Sequence, residues 1–446
     1  MILRPLGGTL AAALLFQAVP ASAAPAPSLP VERFTLDNGL RVVLHVDRTL
    51  PTVAFTVSYD VGSRDEARGR TGFAHLFEHM MFQGSENVPK GEHARLIQGR
   101  GGTLNGGTGT DLTHYFNTLP AGELALGLWL EADRMRALDI TQASFENQRE
   151  VVKEEEHGGL AGLFGRAGRR MDELVFRDYW PYAHPTGGVM ADLDAADFAW
   201  VRDFHAHHYG PNNAVLSLAG SFDPAEAKAL IQRYFGPVPR ITVTPFQDVP
   251  MPEQTAPRDE AMTTETARTP GLGYAFAIPS TRDPDHYALE LSAMLLAGGE
   301  SSRLHRLLVK DRGLAQSVEF DRPLLRRGPD AFAIWIKLAE GAQLAAVETL
   351  VEAEIQRLAT TAPPAAELQR VQRVRRSEAI FRLQGYLERS IWIGAFELLY
   401  GDARLLDQEI PRFEAVTPDD VRRVAARWLS PSRRCRVEVR PAGGKP

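Results

Sequence analysis

The sequence has almost no cysteine, since Cys435 is the only one in 446 residues. A single thiol cannot close an internal disulfide and cannot build a thiolate zinc site. Stability must therefore come from packing of the core. Any structural or catalytic metal must be held by histidines and carboxylates.

Long apolar segments are also scarce. The apolar segment at residues 10–19 is shorter than the roughly 20 residues that a membrane-spanning helix needs. It follows Arg4 and precedes the small residues 20–23, which is the pattern of a cleavable secretory signal over residues 1–24. We therefore expect an exported protein, periplasmic in a Gram-negative host, without a stable membrane anchor.

Neither sign of charge dominates, with 50 Lys and Arg against 56 Asp and Glu and a net charge of −6. This balance favours neither nucleic acid nor an anionic membrane as partner. The sequence lacks a G-x-S-x-G nucleophile elbow, and its glycine-rich segment at residues 101–108 lacks the lysine of a phosphate-binding loop. These absences disfavour a Ser-His-Asp hydrolase and P-loop chemistry.

What the sequence does contain is the segment His75-Leu76-Phe77-Glu78-His79, flanked by apolar residues. On a helix, His75 and His79 share one face and can hold one metal ion, most often zinc. Glu78 lies beside that face, where it can serve as a general base. Three ionisable groups in an apolar helix would cost on the order of several kcal/mol per unpaired charge, and a metal would compensate them. The alternative is a pair of core histidines bonded to backbone carbonyls.

A zinc site needs a third protein ligand, and a charged helix predicted further along the chain offers Glu154, Glu155 and Glu156. Glu155 follows Val151 by four positions and Val152 by three, so these three residues share one face of the helix. Glu154 and Glu156 point to either side of that face.

Three histidines at 205, 207 and 208 suggest a second metal site. None of them forms a pair at the i, i+4 spacing, so we expect exposed histidines instead. The aromatic and Arg-rich residues 160–190 are expected to form loops, and residues 365–399 one long helix.

The chain also resembles itself, because residues 200–218 and 420–439 match nearly in register. This similarity predicts an internal duplication of an α+β domain, with the metal motif only in the first copy. A segment rich in proline and threonine separates the copies. The predicted organisation is a signal peptide (1–24), an N-terminal zinc-bearing domain (25–240), a linker (241–270) and a C-terminal domain without the motif (271–446).

Three of these features together resemble the M16 metallopeptidases, which include pitrilysin, insulinase and mitochondrial processing peptidase. They are the inverted His-x-x-Glu-His motif, the Gly-Gly-x-x-Asn segment and the Val-Val-x-x-Glu pattern. The resemblance covers essentially the whole mature chain. It implies an α+β fold of two homologous domains, each an antiparallel or mixed sheet packed with helices as in LuxS and mitochondrial processing peptidase. Such a chain would form half of a clam-shell.

The resemblance also implies an activity and a site. It implies a zinc-dependent endopeptidase with one Zn²⁺ per chain, held by His75, His79 and Glu155, which lies 76 residues after His79. Glu78 would be the catalytic base.

The same family assigns substrate-backbone binding to the glycine-rich segment and the strand after it, here through Gly102, Asn105, Gly106 and Tyr115. An exposed glycine-rich edge suits pairing with an extended peptide. A plain hairpin is the alternative.

The sequence departs from the family at three positions. Gln148 stands where relatives have a second acid, so it brings no charge to the site. In the C-terminal half, Val309 and Gln316 replace an Arg and a Tyr that help to hold the scissile peptide. We therefore expect a heterodimer in which a homologous zinc-less subunit supplies that pair and closes a chamber. The alternatives are a homodimer that uses other residues, and a zinc-binding assembly or processing subunit with little activity of its own.

Overall fold

The computed structural model describes residues 28–159, 164–244, 246–247, 249–265, 267–321 and 326–442. The predicted signal peptide at 1–24 lies outside the described residues. Within the described part of the chain, no helix is long and apolar enough to cross a membrane.

The first half of the chain is built on a six-stranded sheet with the order β1-β2-β6-β3-β5-β4. Its strands are β1 (Glu32–Thr35), β2 (Arg41–Val46), β3 (Thr52–Tyr59), β4 (Thr103–Thr108), β5 (Thr113–Pro120) and β6 (Ala214–Gly220). Its helices are α1 (Phe73–Met80), α2 (Glu92–Gln98), α3 (Leu124–Arg136), α4 (Gln142–Gly159), α5 (Gly165–Val175), α6 (Met190–Ala195), α7 (Phe198–His208) and α8 (Pro224–Phe235).

The second half is built on a five-stranded sheet with the order β7-β11-β8-β10-β9. Its strands are β7 (Arg258–Thr264), β8 (Gly271–Ile278), β9 (Ala315–Asp321), β10 (Asp330–Leu338) and β11 (Arg434–Pro441). Its helices are α9 (Asp285–Ala297), α10 (Leu344–Thr360), α11 (Ala365–Arg382), α12 (Tyr386–Tyr400), α13 (Glu409–Glu414) and α14 (Pro418–Trp428), with a π-helical turn at His305–Asp311.

The two halves share one strand arrangement, which agrees with the predicted duplication. In the first sheet, β6 pairs in parallel with β2 and antiparallel with β3. In the second, β11 pairs in parallel with β7 and antiparallel with β8. In the position of α1 the second half has α9, all of whose residues are buried. The predicted α+β class, with two similar mixed sheets packed by helices, is confirmed.

Each half gives one helix to the sheet of the other half, which the sequence did not indicate. Helix α12 packs on the outer face of the first sheet, where Ile393 and Phe396 contact Val43 and Val215. Helix α5 packs on β8 and β11 of the second sheet. Both sheets therefore bury their second face only when the two halves are together.

Three expectations about local structure are wrong. Residues 160–190 are not all loop, because α5 carries an apolar face at Ala167, Met171 and Leu174, a helical spacing. Residues 365–399 form two helices, α11 and α12, which break around Gly385. The predicted linker 241–270 contains β7, a charged edge strand that takes the place of β2 in the second sheet.

The exchange of helices predicts that a bulky residue in α12 destabilises the whole chain. A Cβ at Gly394 would lie 2.5 Å from Ser217 Oγ of the first sheet. We expect Gly394→Leu to lower the free energy of unfolding by about 1–3 kcal/mol, measured by urea denaturation followed by circular dichroism. The matched control is Gly168→Leu in α5, where a Cβ meets no atom within 4 Å. Equal stability of the two variants would contradict the packing described here.

Candidate metal centre

Helix α1 begins at a capped and buried N-terminus. Gly72 precedes the helix with a φ of +88°, a left-handed conformation that glycine adopts readily. The Glu66 carboxylate accepts hydrogen bonds from the backbone N–H groups of Gly72 and Ala74, each at 2.8 Å. A carboxylate at this end satisfies free N–H groups and complements the helix dipole. Glu66 therefore fixes where the helix begins and how it is oriented.

The helix presents its polar residues on one face. Phe73, Leu76, Phe77 and Met80 are buried in the core of the first half, as the apolar pattern predicts. The histidines keep partial access to solvent, with side-chain exposures of 19% for His75 and 16% for His79. This face lies against α4 and β4.

Two imidazoles and one carboxylate meet on that face. The Nε2 atoms of His75 and His79 are 3.3 Å apart. Glu155 Oε2 lies 3.6 Å from His75 Nε2 and 3.4 Å from His79 Nε2. Among the described residues, this is the group of histidines, cysteines and acids whose donor atoms converge as a metal site requires.

The triangle has the size of one face of a tetrahedral zinc site. Two ligands at about 2.1 Å from a tetrahedral ion lie about 3.4 Å apart, close to the three separations observed. Burial lowers the pKa of His75, which favours the neutral ring that a metal requires. The buried His75 Nδ1 has no hydrogen-bond partner in the described part of the chain. The residues present therefore fit a zinc ion with one open position.

Glu155 lies on helix α4, whose buried face differs in one residue from the face predicted from the sequence. Phe145, Gln148 and Val152 are buried, whereas Val151 is 37% exposed. The buried face of α4 therefore includes Val152 and does not include Val151. Glu155 continues this face, and its side chain is half exposed at the end that reaches the histidines.

Glu78 is held by the edge strand β4. Thr108 Oγ1 donates a hydrogen bond of 2.7 Å to Glu78 Oε2. A Cβ at Gly106 would lie 3.1 Å from Glu78 Cγ, so a glycine here lets the strand approach the carboxylate closely. No hydrogen bond to the second carboxylate oxygen of Glu78 is observed among the described residues.

The four predicted substrate-binding residues have different surroundings. Asn105 is exposed and its Oδ1 accepts the N–H of Gly106 at 2.9 Å, so that amide faces the open edge of the sheet. Gly102 is buried, and a Cβ there would lie 2.5 Å from Thr118 O. Tyr115 is fully buried in the core with both sides of its strand paired.

The role of Gly102 and Tyr115 in binding the substrate backbone stays a prediction. The Tyr115 side chain itself points away from the open edge of the sheet and into the core. The reason lies in the pleat, which turns every second side chain of β5 into the core.

The histidines of α7 are less exposed than expected. His205 stacks on Phe77 of α1 with ring centroids 5.4 Å apart. Burial lowers the pKa of both His205 and His208 to about 4. The His205 ring packs beside the metal helix, and among the described residues the three histidines do not converge on a second site. The prediction of exposure is wrong for His205 and His208, which are largely buried, whereas the His207 side chain is 41% exposed.

Two contributors to the site were absent from the expectations. Glu66 was not among the predicted site residues, although an acid shortly before a helix is a capping signal. Thr108 lay at the end of the glycine-rich segment, where no local pattern pointed to a contact with Glu78.

Comparison with known proteins gives the family. Residues 41–157 match the model "Insulinase (Peptidase family M16)", and residues 197–374 match "Peptidase M16 inactive domain". The metal motif lies within the first of these regions. The chain belongs to the M16 peptidase family, as its resemblance predicted.

Its curated relatives carry protease names. A zinc protease, PqqE, of Helicobacter pylori is 28% identical over 291 residues, which are 64% of this chain and 65% of that protein. An uncharacterized zinc protease of Mycobacterium tuberculosis is 28% identical over 424 residues, 91% of this chain and 92% of that one. The crystal structure of a protease from Helicobacter pylori shares the fold with a TM-score of 0.85 at 24% identity, over 93% of this chain and 100% of that chain.

Proposed function

We propose that this chain is a zinc-dependent endopeptidase that hydrolyses peptides or unfolded segments. The observation that carries the proposal is the convergence of His75 Nε2, His79 Nε2 and Glu155 Oε2 within 3.6 Å of one another, beside Glu78 and an open sheet edge. The protease names of the relatives support the reaction class. The secretory-type N-terminus predicted from the sequence favours an exported, periplasmic enzyme.

In this proposal His75, His79 and Glu155 hold the ion. Bound zinc supplies Lewis-acid chemistry, lowering the pKa of a water and polarising a carbonyl. Glu78 takes the proton of the attacking water as the new C–O bond forms. It then gives that proton to the leaving amine as the C–N bond breaks, so that the carboxylate is regenerated.

The neighbourhood of Glu78 suits a peptide substrate in extended form. Strand β4 is the edge of its sheet and is glycine-rich, so a peptide backbone can approach it closely. An added strand would hydrogen-bond to the main chain with little dependence on sequence. Because Thr108 of this strand bonds to Glu78 and Gly106 lies close to it, a peptide paired there would pass beside the base.

The base assignment predicts that Glu78→Gln keeps zinc but lowers turnover of a quenched fluorescent peptide by about 10²–10⁴-fold. Metal content by mass spectrometry distinguishes lost chemistry from a lost metal. Glu154→Gln, an exposed acid next to Glu155 in sequence, is the matched control and should behave like the wild type. Near-wild-type turnover in Glu78→Gln would refute the role of Glu78.

At the two positions that the family resemblance singles out, the second half of the chain offers no complement to this site. Val309 lies half-buried against the second core, and Gln316 is exposed on the edge strand β9. Neither supplies the guanidinium or phenol that relatives place there. This supports a homologous zinc-less partner that provides the Arg and Tyr and closes the chamber. A homodimer and a zinc-binding subunit with little activity are the competing arrangements.

A mixing experiment separates these arrangements. We expect the purified chain alone to cleave a quenched peptide poorly, and its mixture with a homologous subunit lacking the motif to cleave it well, in a chelator-sensitive manner. Full activity of the chain alone would support the homodimer and contradict the shared site. Inactivity of both samples, with zinc bound, would favour the assembly role.

A further inference from the structure

Gln148 is the buried polar residue of α4 closest to the metal-binding face, with an exposure of 8%. Its Oε1 lies 3.3 Å from His79 Nδ1. Its Nε2 donates to Asn147 Oδ1 at 2.9 Å. With its Nε2 donating to Asn147, the amide turns its Oε1 acceptor toward the imidazole.

This orientation of the amide favours one tautomer of the His79 ring. An acceptor at Nδ1 requires the proton to be on Nδ1, so the lone pair of the neutral ring lies on Nε2. Nε2 is the atom that faces His75 Nε2 and Glu155 Oε2. The reversed amide would donate to Nδ1, place the proton on Nε2 and remove the lone pair that a metal needs.

The two histidines are held unequally. His75 Nδ1 is buried without a hydrogen-bond partner among the described residues. Gln148 is therefore the side chain, within the described chain, that the structure shows bonded to the outer nitrogen of either ring. It also adds no charge to the site.

We propose that Gln148 is a positioning residue of the metal site, whose neutral amide oxygen holds His79 in the tautomer and ring orientation that present Nε2 to the ion. The inference rests on the proposed function, in which these residues bind zinc. Groups behind a ligating histidine orient the ring, and their loss commonly weakens metal binding by about 10–100-fold.

The test measures zinc affinity directly, by competition with a chromophoric chelator at fixed pH on the full-length mature chain. We expect Gln148→Leu, which keeps the size and removes the acceptor, to bind zinc about 10–100-fold more weakly than the wild type. Gln148→Glu restores an acceptor and should bind within about threefold of the wild type or more tightly. The matched control is Gln142→Leu, an exposed glutamine on the same helix, which should leave the affinity unchanged.

Each other outcome overturns the inference. Gln148→Leu binding zinc as tightly as the wild type would show that His79 needs no support from this amide. Gln148→Glu binding as weakly as Gln148→Leu would show that the acceptor is not what matters. If circular dichroism shows that Gln148→Leu is unfolded, Gln148→Met takes its place under the same criteria. A wild-type chain that binds no zinc would overturn the proposed function itself, which distinguishes the two failures.

Discussion

Two imidazole nitrogens and a carboxylate oxygen meet within 3.6 Å on the polar face of an otherwise apolar helix. Without a cation between them, these atoms would present lone pairs to one another in a half-buried space, which is unfavourable. With one, the same separations match adjacent ligands of a tetrahedral zinc ion. The surrounding structure serves this arrangement: Glu66 caps the helix, Thr108 orients Glu78, and Gln148 faces the outer nitrogen of His79.

The site belongs to the first half of the chain, but its framework depends on both halves. The sheet that carries β4 buries its outer face under α12 from the second half. Helix α5, which comes directly after the ligand-bearing α4 in the chain, packs on the second sheet. The duplication therefore produced two similar sheets that stabilise one another. The second copy has a wholly buried helix where the first has the metal motif, so the candidate chemistry lies in the first half and the second half supports it.

Much of this could be predicted because the signals are local. The apolar flanks and the i, i+4 spacing predicted the metal helix and placed His75 and His79 together. The similarity between residues 200–218 and 420–439 predicted the duplication. The exchange of α5 and α12 could not be predicted, since periodicity reveals that a helix has an apolar face and not which sheet covers it. Strand β7 was missed because its charged, alternating residues are typical of an exposed edge. The contact of Thr108 with Glu78 depends on how a strand crosses a helix, which only the tertiary structure shows.

The central claim is that one zinc ion occupies the space between His75, His79 and Glu155. Anomalous diffraction from crystals of the protein, recorded above and below the zinc absorption edge, tests it most directly. The account predicts a single zinc peak at about 2.0–2.2 Å from His75 Nε2, His79 Nε2 and a Glu155 carboxylate oxygen. A zinc-replete crystal with no peak there, or with its peak bound by other residues, would contradict it.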